Sequence, residues 1–201
     1  MINWDFKDNS CIDNLITQLL EYCSRAASEE NLVIGIDGMC GSGKTSLAEY
    51  IADKYGASVV HMDDFFLPPE LRTAKRLSEP GGNVHYERFI EEVGQFIRSS
   101  KGEFSYRKFN CSLMDYDTEK INIVPANIFI VEGSYSLRPE LSCYYDLKIF
   151  MKCSREKQKT RIMSRNGNEK YELFRTKWIP MEEKYFSELN IESKADQLIF
   201  T

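Results

Sequence analysis

The feature that most constrains this chain is a glycine-rich segment at residues 38–45, which reads GMCGSGKT and matches the pattern GxxxxGK[ST]. The continuous apolar run at 32–36 precedes it and is typical of a strand buried on both faces of a parallel sheet. A helical pattern from Lys44 to about Tyr55 follows. Because a glycine-rich turn between a buried strand and a helix points backbone N–H groups at a common centre, the segment predicts a phosphate-binding loop.

Each part of this loop has a predicted role. The glycines allow the backbone to curl, Lys44 is expected to contact the β and γ phosphates of a nucleotide, and the Thr45 hydroxyl is expected to ligate Mg²⁺. The predicted nucleotide-binding residues are Gly38, Gly41, Ser42, Gly43, Lys44, Thr45 and Ser46.

The rest of the chain alternates apolar runs with helical patterns, which is typical of a parallel α/β sheet. Further short apolar runs lie at residues 57–62, 127–131, 146–151 and 197–200. An amphipathic helix is predicted from Ser10 to about Ala27, within an N-terminal segment at 1–30. Residues 67–83 are rich in Pro, Gly and charge and predict a long loop, whereas 104–124 predict an edge hairpin. We expect all of these parts to form a single domain.

The composition narrows the classes of function. With 26 Lys and Arg against 31 Asp and Glu, the net charge is −5, which disfavours binding of nucleic acid. The six cysteines are scattered without a CxxC pair, which disfavours a zinc site or a disulfide framework. No apolar run approaches the roughly 20 residues of a membrane span, and the first residues lack a signal-peptide pattern. We therefore expect a cytoplasmic protein with neither nucleic-acid nor membrane partners.

Carboxylates follow two of the predicted strands at the points where those strands end. Asp63 and Asp64 follow one apolar run, and Glu132 follows another. Ligands bind beyond the carboxyl ends of parallel strands, so these side chains are expected beside the phosphate-binding loop. Phosphoryl transfer to a hydroxyl needs a carboxylate that orients the acceptor and acidic groups that hold Mg²⁺, and Asp63 and Glu132 fit those tasks. Adjacent side chains on a strand point to opposite faces, so the residues alone leave open which aspartate faces the phosphates.

A stripe of positive charge is predicted on the helix that follows the run at 146–151. Ser154 is a suitable N-cap, and Lys157, Arg161 and Arg165 recur at intervals of four residues. Such a stripe can close over the phosphates as a lid and neutralise charge on the transferred group. The alternatives are structural: a solvated helix face here, and a capped turn or a solvated strand end for the carboxylates.

These motifs occur in an order that resembles the uridine kinase and phosphoribulokinase family of P-loop kinases. The resemblance rests on the loop, the segment Met62-Asp63-Asp64-Phe65-Phe66, the pair Glu132-Gly133 and the arginine helix, and it covers most of residues 31–201. It implies a P-loop NTPase fold of three α/β/α layers around a central parallel sheet. It further implies an inserted substrate-binding hairpin and a helical lid at 154–168.

The resemblance also implies roles for individual residues. In this family an Asp of the matching segment is the base for the acceptor hydroxyl, which assigns that role to Asp63. The implied catalytic residues are Lys44, Asp63, Arg161 and Arg165, and the implied metal-binding residues are Thr45, Asp63 and Glu132. ATP and Mg²⁺ are the implied cofactors. Whether Asp64 shares the metal stays open.

The acceptor is expected in the insertion at 67–124, which comprises the loop, a helix and the hairpin. Uridine kinases carry an Asn-Phe-Asp segment whose Asp holds the ribose hydroxyls, and the similar place here ends in His85. Imidazole cannot accept from two hydroxyls as a carboxylate does, so recognition of ribose by His85 stays open. Tyr106 and Phe109 resemble the family's Tyr-x-x-Phe substrate hairpin, and packing of the hairpin is the alternative for both.

Together these patterns favour an ATP-dependent kinase that phosphorylates a small-molecule hydroxyl, most of all that of uridine or cytidine. Another hydroxyl metabolite, such as a sugar phosphate or a pantothenate-like alcohol, is the rival acceptor. A regulatory P-loop ATPase without small-molecule turnover is the alternative from another class. The sequence leaves assembly into a homo-oligomer open. Residues 178–185 resemble a C-terminal helix of bacterial uridine-kinase-like proteins, and we interpret them as packing.

Overall fold

The computed structural model describes residues 2–3, 10–25, 30–99 and 102–201. The strands are β1 (Ile2–Asn3), β2 (Leu32–Gly38), β3 (Ser58–His61), β4 (Phe104–Asn110), β5 (Asp115–Ile123), β6 (Ile128–Glu132), β7 (Leu147–Lys152) and β8 (Gln197–Phe200). Six of them form a parallel sheet in the order β1-β8-β7-β2-β6-β3, in which β1 adds two residues at one edge. The predicted central parallel sheet is confirmed.

Helices cover both faces of this sheet. They are α1 (Ser10–Arg25), α2 (Lys44–Tyr55), α3 (Ala74–Ser78), α4 (Tyr86–Phe89), α5 (Gln95–Ile97), α6 (Arg155–Leu173), α7 (Ile179–Glu188) and α8 (Ile191–Lys194). On one face, Ile16 of α1 and Leu47 of α2 belong to a buried apolar cluster with β2, β6 and β7. On the other face, Phe89 of α4 and Tyr185 of α7 belong to a second cluster. The three-layer arrangement of a P-loop NTPase is therefore confirmed.

Strand β2 lies at the centre of the sheet and brings the strand ends together. All seven of its residues are buried, as its unbroken apolar sequence predicts for a strand with neighbours on both sides and helices on both faces. Ile36 pairs with Glu132 of β6 and with Ile149 of β7, and His61 of β3 also pairs with Glu132. The carboxyl ends of β2, β3 and β6 consequently lie side by side, where ligands bind in such sheets.

The predicted hairpin forms a separate antiparallel sheet from β4 and β5. The register shifts between Arg107 and Phe109, where one strand carries an irregularity. The hairpin is fastened to the core by aromatic contacts, because the Tyr106 ring lies 4.9 Å from the Phe65 ring and the Phe104 ring lies 6.1 Å from the Phe129 ring. Residues just after β3 thus meet the hairpin.

Two segments differ from the sequence-based expectation. The predicted loop at 67–83 contains a 3₁₀ turn, Pro69–Leu71, and the short helix α3, which Thr73 caps by accepting a hydrogen bond from the Arg76 amide at 3.1 Å. The predicted helix at 154–168 extends to Leu173 as α6.

Ser154 caps α6 as predicted, accepting from the Lys157 amide at 3.2 Å. Gly167 interrupts α6 with a φ of 81°, and the π-helical turn Phe174–Trp178 joins α6 to α7. At the other end of the chain, the predicted continuation of α1 to residue 27 lies outside the described residues. None of the helices in the described ranges has the length and apolar character needed to cross a membrane.

Candidate active site

The phosphate-binding loop connects β2 to α2 at the carboxyl edge of the sheet. Gly38 has a φ of 134°, and a Cβ there would lie 2.0 Å from the Met151 carbonyl oxygen of β7, so the close approach of the two strands requires glycine. The Met39 amide donates to the same carbonyl at 3.0 Å. Lys44 Nζ folds over the loop and donates to the carbonyl oxygens of Gly38 at 2.7 Å and Met39 at 3.1 Å. The lysine therefore lies where it can meet a bound phosphate chain.

Backbone amides at the centre of this loop are available to an anion. The Ser42 amide donates to the Met39 carbonyl at 3.0 Å, whereas the amides of Gly41 and Gly43 have no acceptor within the described part of the chain. Helix α2 begins at Lys44, and amides in the first turn of a helix have no intrahelical acceptor. This arrangement has the properties of an anion nest reinforced by a helix N-terminus.

Thr45 and Glu132 meet beside the loop. The Thr45 hydroxyl lies 3.3 and 3.2 Å from the two carboxylate oxygens of Glu132. His61 Nδ1 lies 2.6 Å from Glu132 Oε1, and this hydrogen bond is the largest cause of a raised pKa at His61. Sequence reasoning missed His61, although its place at the end of β3 is a signal that could have revealed it.

The same pair has the chemistry of a magnesium site. Hydroxyl and carboxylate oxygens are hard ligands, and Mg²⁺ in nucleotide sites takes one or two of them together with substrate phosphates and waters. In the described ranges, no group of three or more His, Cys, Asp or Glu side chains forms a cage that could hold a metal without such partners. Thr45 and Glu132 therefore fit Mg²⁺ that arrives with a nucleotide.

Asp63 borders this site in the 3₁₀ turn Met62–Phe65 that follows β3. Its Oδ1 atom lies 3.5 Å from the place where a Cβ on Gly133 would stand. The side chain is open to solvent at the surface of the cleft, but protein surrounds it on the other sides. Desolvation, followed by the negative charge of Glu132, raises the pKa of Asp63 to about 6, against the opposing effect of Lys44. A carboxylate with a pKa near the working pH suits a general base.

Asp64 has different partners from its neighbour. It is 2 % exposed, and its Oδ2 atom accepts a hydrogen bond from the Tyr106 hydroxyl at 2.9 Å. Lys108 Nζ lies 3.4 Å from Asp64 Oδ1. Both carboxylate oxygens of Asp64 thus contact the hairpin, and the structure gives this aspartate a role in anchoring it.

The predicted acceptor residues lie at the junction of the hairpin and α4. Tyr106 and Phe109 are each 1 % exposed, and the Phe109 ring meets the Tyr116 ring edge to face at 5.9 Å. Packing accounts for both rings in this arrangement, and their contact with an acceptor stays a prediction. His85 is half-buried, with Nδ1 3.3 Å from the Tyr116 hydroxyl, and desolvation lowers its pKa.

The two predicted lid arginines occupy unlike positions on α6. Arg161 Nη1 donates to the Gly41 carbonyl of the phosphate-binding loop at 3.1 Å and to the Thr201 hydroxyl at 2.8 Å. Arg165 is exposed, and its Nε donates to Asn166 Oδ1 at 2.9 Å. In this arrangement Arg161 supports the backbone of the loop, and the action of either arginine on a γ phosphate stays a prediction.

A buried carboxylate that the sequence reasoning did not select lies beneath the loop. The Asp37 side chain is fully buried and accepts four hydrogen bonds: from the amides of Gly38, Tyr135 and Leu137, and from the Tyr185 hydroxyl. Burial raises the pKa of Asp37 to about 6, and Lys44 opposes this effect most strongly. Asp37 therefore joins the start of the loop to the segment after β6 and to α7.

Comparison with known proteins places this chain in a family. Residues 12–193, most of the chain, match the KAP family P-loop domain. No curated protein matches the chain. A solved structure described as a "possible uridine kinase" from Bacillus stearothermophilus is similar at a TM-score of 0.63 and 17 % identity, covering 94 % of this chain and 100 % of that one.

A second solved structure, a "putative fructose transport system kinase" from Silicibacter sp., is similar at a TM-score of 0.58 and 18 % identity, over 85 % of this chain and 90 % of that one. At these identities the likeness concerns the fold, which these proteins share with P-loop kinases. The chain belongs to the KAP family of P-loop domains, and its residues 38–45 carry the P-loop motif.

Proposed function

We propose that this protein is an ATP-dependent kinase that transfers the γ phosphate to a hydroxyl group of a small molecule. The observation that carries the proposal is the position of Asp63, which lies beside Glu132 and the P-loop with a pKa raised to about 6. A P-loop protein that only hydrolyses ATP needs a site for water. Here a carboxylate lies next to the insertion at 67–124, and this combination suits an organic acceptor. The likeness in fold to structures described as kinases supports this function.

The chemistry assigned to each residue follows from its place. The P-loop amides and Lys44 hold and neutralise the phosphate chain, and Asp63 accepts the proton of the acceptor hydroxyl. The acceptor oxygen then forms a bond to the γ phosphorus as the bond to the β–γ bridging oxygen breaks, which releases ADP. Thr45 and Glu132 are the residues that would hold Mg²⁺, which supplies electrostatic stabilisation of the phosphates when bound.

We assign a nucleoside, with uridine or cytidine first, as the acceptor. The order of the motifs and the fold of the "possible uridine kinase" support this choice. His85 and Tyr116 form a polar pair next to the hairpin, 3.3 Å apart, and such a pair can bond a ribose hydroxyl. Because imidazole accepts one hydrogen bond where a carboxylate accepts more, this contact is weaker than the one expected from an aspartate.

Another hydroxyl metabolite, one that bears a negative charge, is the second candidate acceptor. The Lys108 side chain is half-exposed, and its Nζ atom lies 3.4 Å from Asp64, the residue that follows Asp63 in the chain. The Arg72 guanidinium lies 5.6 Å from the centre of the Phe109 ring at the same hairpin. Two cations that contact the hairpin or its neighbour Asp64 favour a phosphate or carboxylate on the acceptor.

A P-loop ATPase without a small-molecule acceptor also fits the KAP family. The two classes differ in what limits ADP formation. A kinase releases ADP at a rate that depends on one class of hydroxyl compound, whereas an ATPase releases it in the absence of any. A panel of nucleosides, sugar phosphates and pantothenate-like alcohols, each tested with ATP and Mg²⁺, separates them.

Asp63→Asn tests the role of the base. The amide keeps the size of the side chain but cannot take the hydroxyl proton, so we expect acceptor-dependent ADP formation to fall by about 100-fold or more. ATP affinity is expected to stay within about threefold, because the P-loop supplies the phosphate contacts. Asp53→Asn, at an exposed position of α2, is the control and should leave the rate unchanged. Retention of the full rate in Asp63→Asn would contradict the assignment.

A further inference from the structure

Three successive carbonyl groups of the P-loop, those of residues 40–42, accept hydrogen bonds from the C-terminal third of the chain. When successive amides of a loop turn inward, the carbonyl groups between them turn outward and need donors of their own. The donor–acceptor pairs are Gln158 Nε2 to Cys40 O at 3.0 Å, Arg161 Nη1 to Gly41 O at 3.1 Å and Thr201 Oγ1 to Ser42 O at 3.0 Å. The curvature of the loop thus depends on side chains more than a hundred residues away.

One amide of the loop also faces outward, and a carboxylate of α7 receives it. The Cys40 amide donates to Glu182 Oε2 at 3.0 Å. The Ser134 hydroxyl donates to the other oxygen, Glu182 Oε1, at 2.6 Å. Glu182 is 5 % exposed, and a carboxylate at such a position needs donors to offset its loss of water. Hydrogen bonds to a charged acceptor are about twice as strong as neutral ones.

We infer that Glu182 is a positioning residue for nucleotide binding, acting through the backbone of the P-loop. By holding the Cys40 amide outward, it fixes the turn after which the amides of Gly41 and Gly43 face inward. A loop that already has its bound conformation before the nucleotide binds loses less conformational entropy on binding than a flexible loop. Its affinity for the phosphates is therefore higher. Glu182 lies in the stretch that the sequence pattern assigned to packing, and this inference gives that stretch a second role.

This role is distinct from competition with the nucleotide. A carboxylate that mimicked a phosphate would accept from the inward amides of the loop. Glu182 instead accepts from the Cys40 amide. The amides of Gly41 and Gly43 have no acceptor within the described part of the chain. The two roles predict opposite results when alanine replaces Glu182, because positioning predicts weaker binding of the nucleotide and competition predicts tighter binding. They can therefore be separated by binding alone, whether the protein transfers the phosphate or hydrolyses ATP, so the outcome does not depend on the proposed acceptor.

The experiment compares Glu182→Ala and Glu182→Gln with Glu183→Ala, a control at an exposed neighbour whose partner is Arg155. Calorimetry measures the dissociation constant of a non-hydrolysable ATP analogue with Mg²⁺, and that of AMP, which lacks the β and γ phosphates. We expect Glu182→Ala to weaken binding of the ATP analogue by about tenfold or more and that of AMP much less.

In Glu182→Gln the side-chain carbonyl can accept from Cys40 while the amide group donates to Ser134, so affinity should stay within about threefold of the native protein. The control should bind as the native protein does. Unchanged affinity in Glu182→Ala, with only a lower melting temperature, would overturn the inference. Tighter binding in either Glu182 variant would overturn it as well, because it would indicate competition.

Ser134→Ala covers the case in which Glu182→Ala does not fold. It removes only the hydroxyl that orients Glu182 Oε1, and Ser134 is half-buried after β6. We expect a loss of about twofold to fivefold in affinity for the ATP analogue and none for AMP. Equal affinities for the analogue in Ser134→Ala and in the native protein would contradict the positioning role.

Discussion

Two adjacent aspartates after β3 have different surroundings because the chain turns between them. On a continuing strand, Asp63 and Asp64 would point to opposite faces, and the residues alone do not choose between them. The 3₁₀ turn Met62–Phe65 places Asp63 at the cleft and buries Asp64 against the hairpin. Their surroundings then separate them further, since Asp64 has a hydroxyl and an ammonium as partners while Asp63 faces the charge of Glu132.

The raised pKa of Asp63 predicts a pH dependence of turnover. A base must be ionised to accept a proton, and with a pKa of about 6 the ionised fraction falls as the pH drops through that value. The ratio kcat/KM for the acceptor should therefore decline below about pH 6, rather than near 4 as for an ordinary aspartate. A rate profile between pH 5 and 8 measures this midpoint.

His61 also has a raised pKa near the site, so its contribution needs a control. His61→Asn should keep the decline near pH 6, whatever its absolute rate, because the proton acceptor is unchanged. The residual rate of Asp63→Asn should lose this decline. A decline that disappears with His61 and persists without Asp63 would contradict the assignment of the base.

The residues that the sequence could reveal are those tied to a local pattern. Lys44 and Thr45 belong to a contiguous motif, and Glu132 follows an apolar run whose end marks the edge of a parallel sheet. Asp37 and Glu182 could not be found in this way. The contacts of Asp37 with Tyr135 and Tyr185 and that of Glu182 with Cys40 join residues about a hundred or more positions apart, and no local spacing encodes such contacts.

At the scale of elements, the periodicity of the sequence predicts the strands and the major helices. It does not predict which elements pack against one another. The hairpin predicted at 104–124 corresponds to β4 and β5. The contact of its inner face with the turn after β3 depends on tertiary packing. The short helix α3 in the predicted loop was missed, because nearby Pro and Gly residues masked the cap at Thr73. Helix α6 extends beyond the predicted end at residue 168, because Gly167 kinks the helix but does not end it.

Tyr106→Phe tests whether the Asp64 contact holds the hairpin. The change removes a buried hydroxyl and leaves one carboxylate oxygen without that donor, which costs about 1–3 kcal/mol. We expect the free energy of unfolding in urea to fall by this amount. Tyr116→Phe, which removes a half-buried hydroxyl 3.3 Å from His85, is the control, with an expected loss below about 1 kcal/mol. Equal losses in both variants would contradict an anchoring role.

At the scale of the whole molecule, the P-loop is supported by both halves of the chain. Strand β7 accepts a hydrogen bond from the Met39 amide, and Glu182 of α7 accepts one from another amide of the loop. Side chains of α6 and Thr201 donate to carbonyl groups of the loop. Asp37 adds a link beneath the loop between β2, the segment after β6 and α7. The site therefore depends on the completed fold, and folding of the C-terminal third should be required for tight nucleotide binding.

Asp37→Asn tests this dependence. In the native protein each carboxylate oxygen of Asp37 accepts two hydrogen bonds. In the variant, an NH₂ group replaces one of these oxygens and cannot accept, so the buried donors that faced that oxygen lose their partner. We expect the free energy of unfolding at pH 7 to fall by about 2–4 kcal/mol, with an unchanged dependence on urea concentration if unfolding stays two-state. Asp196→Asn is the matched control, because Asp196 also accepts a strand amide, that of Lys148 at 2.7 Å, but at an exposed position. Its expected loss is below about 1 kcal/mol, and a similar loss in the two variants would mean that Asp37 does not join the parts of the fold.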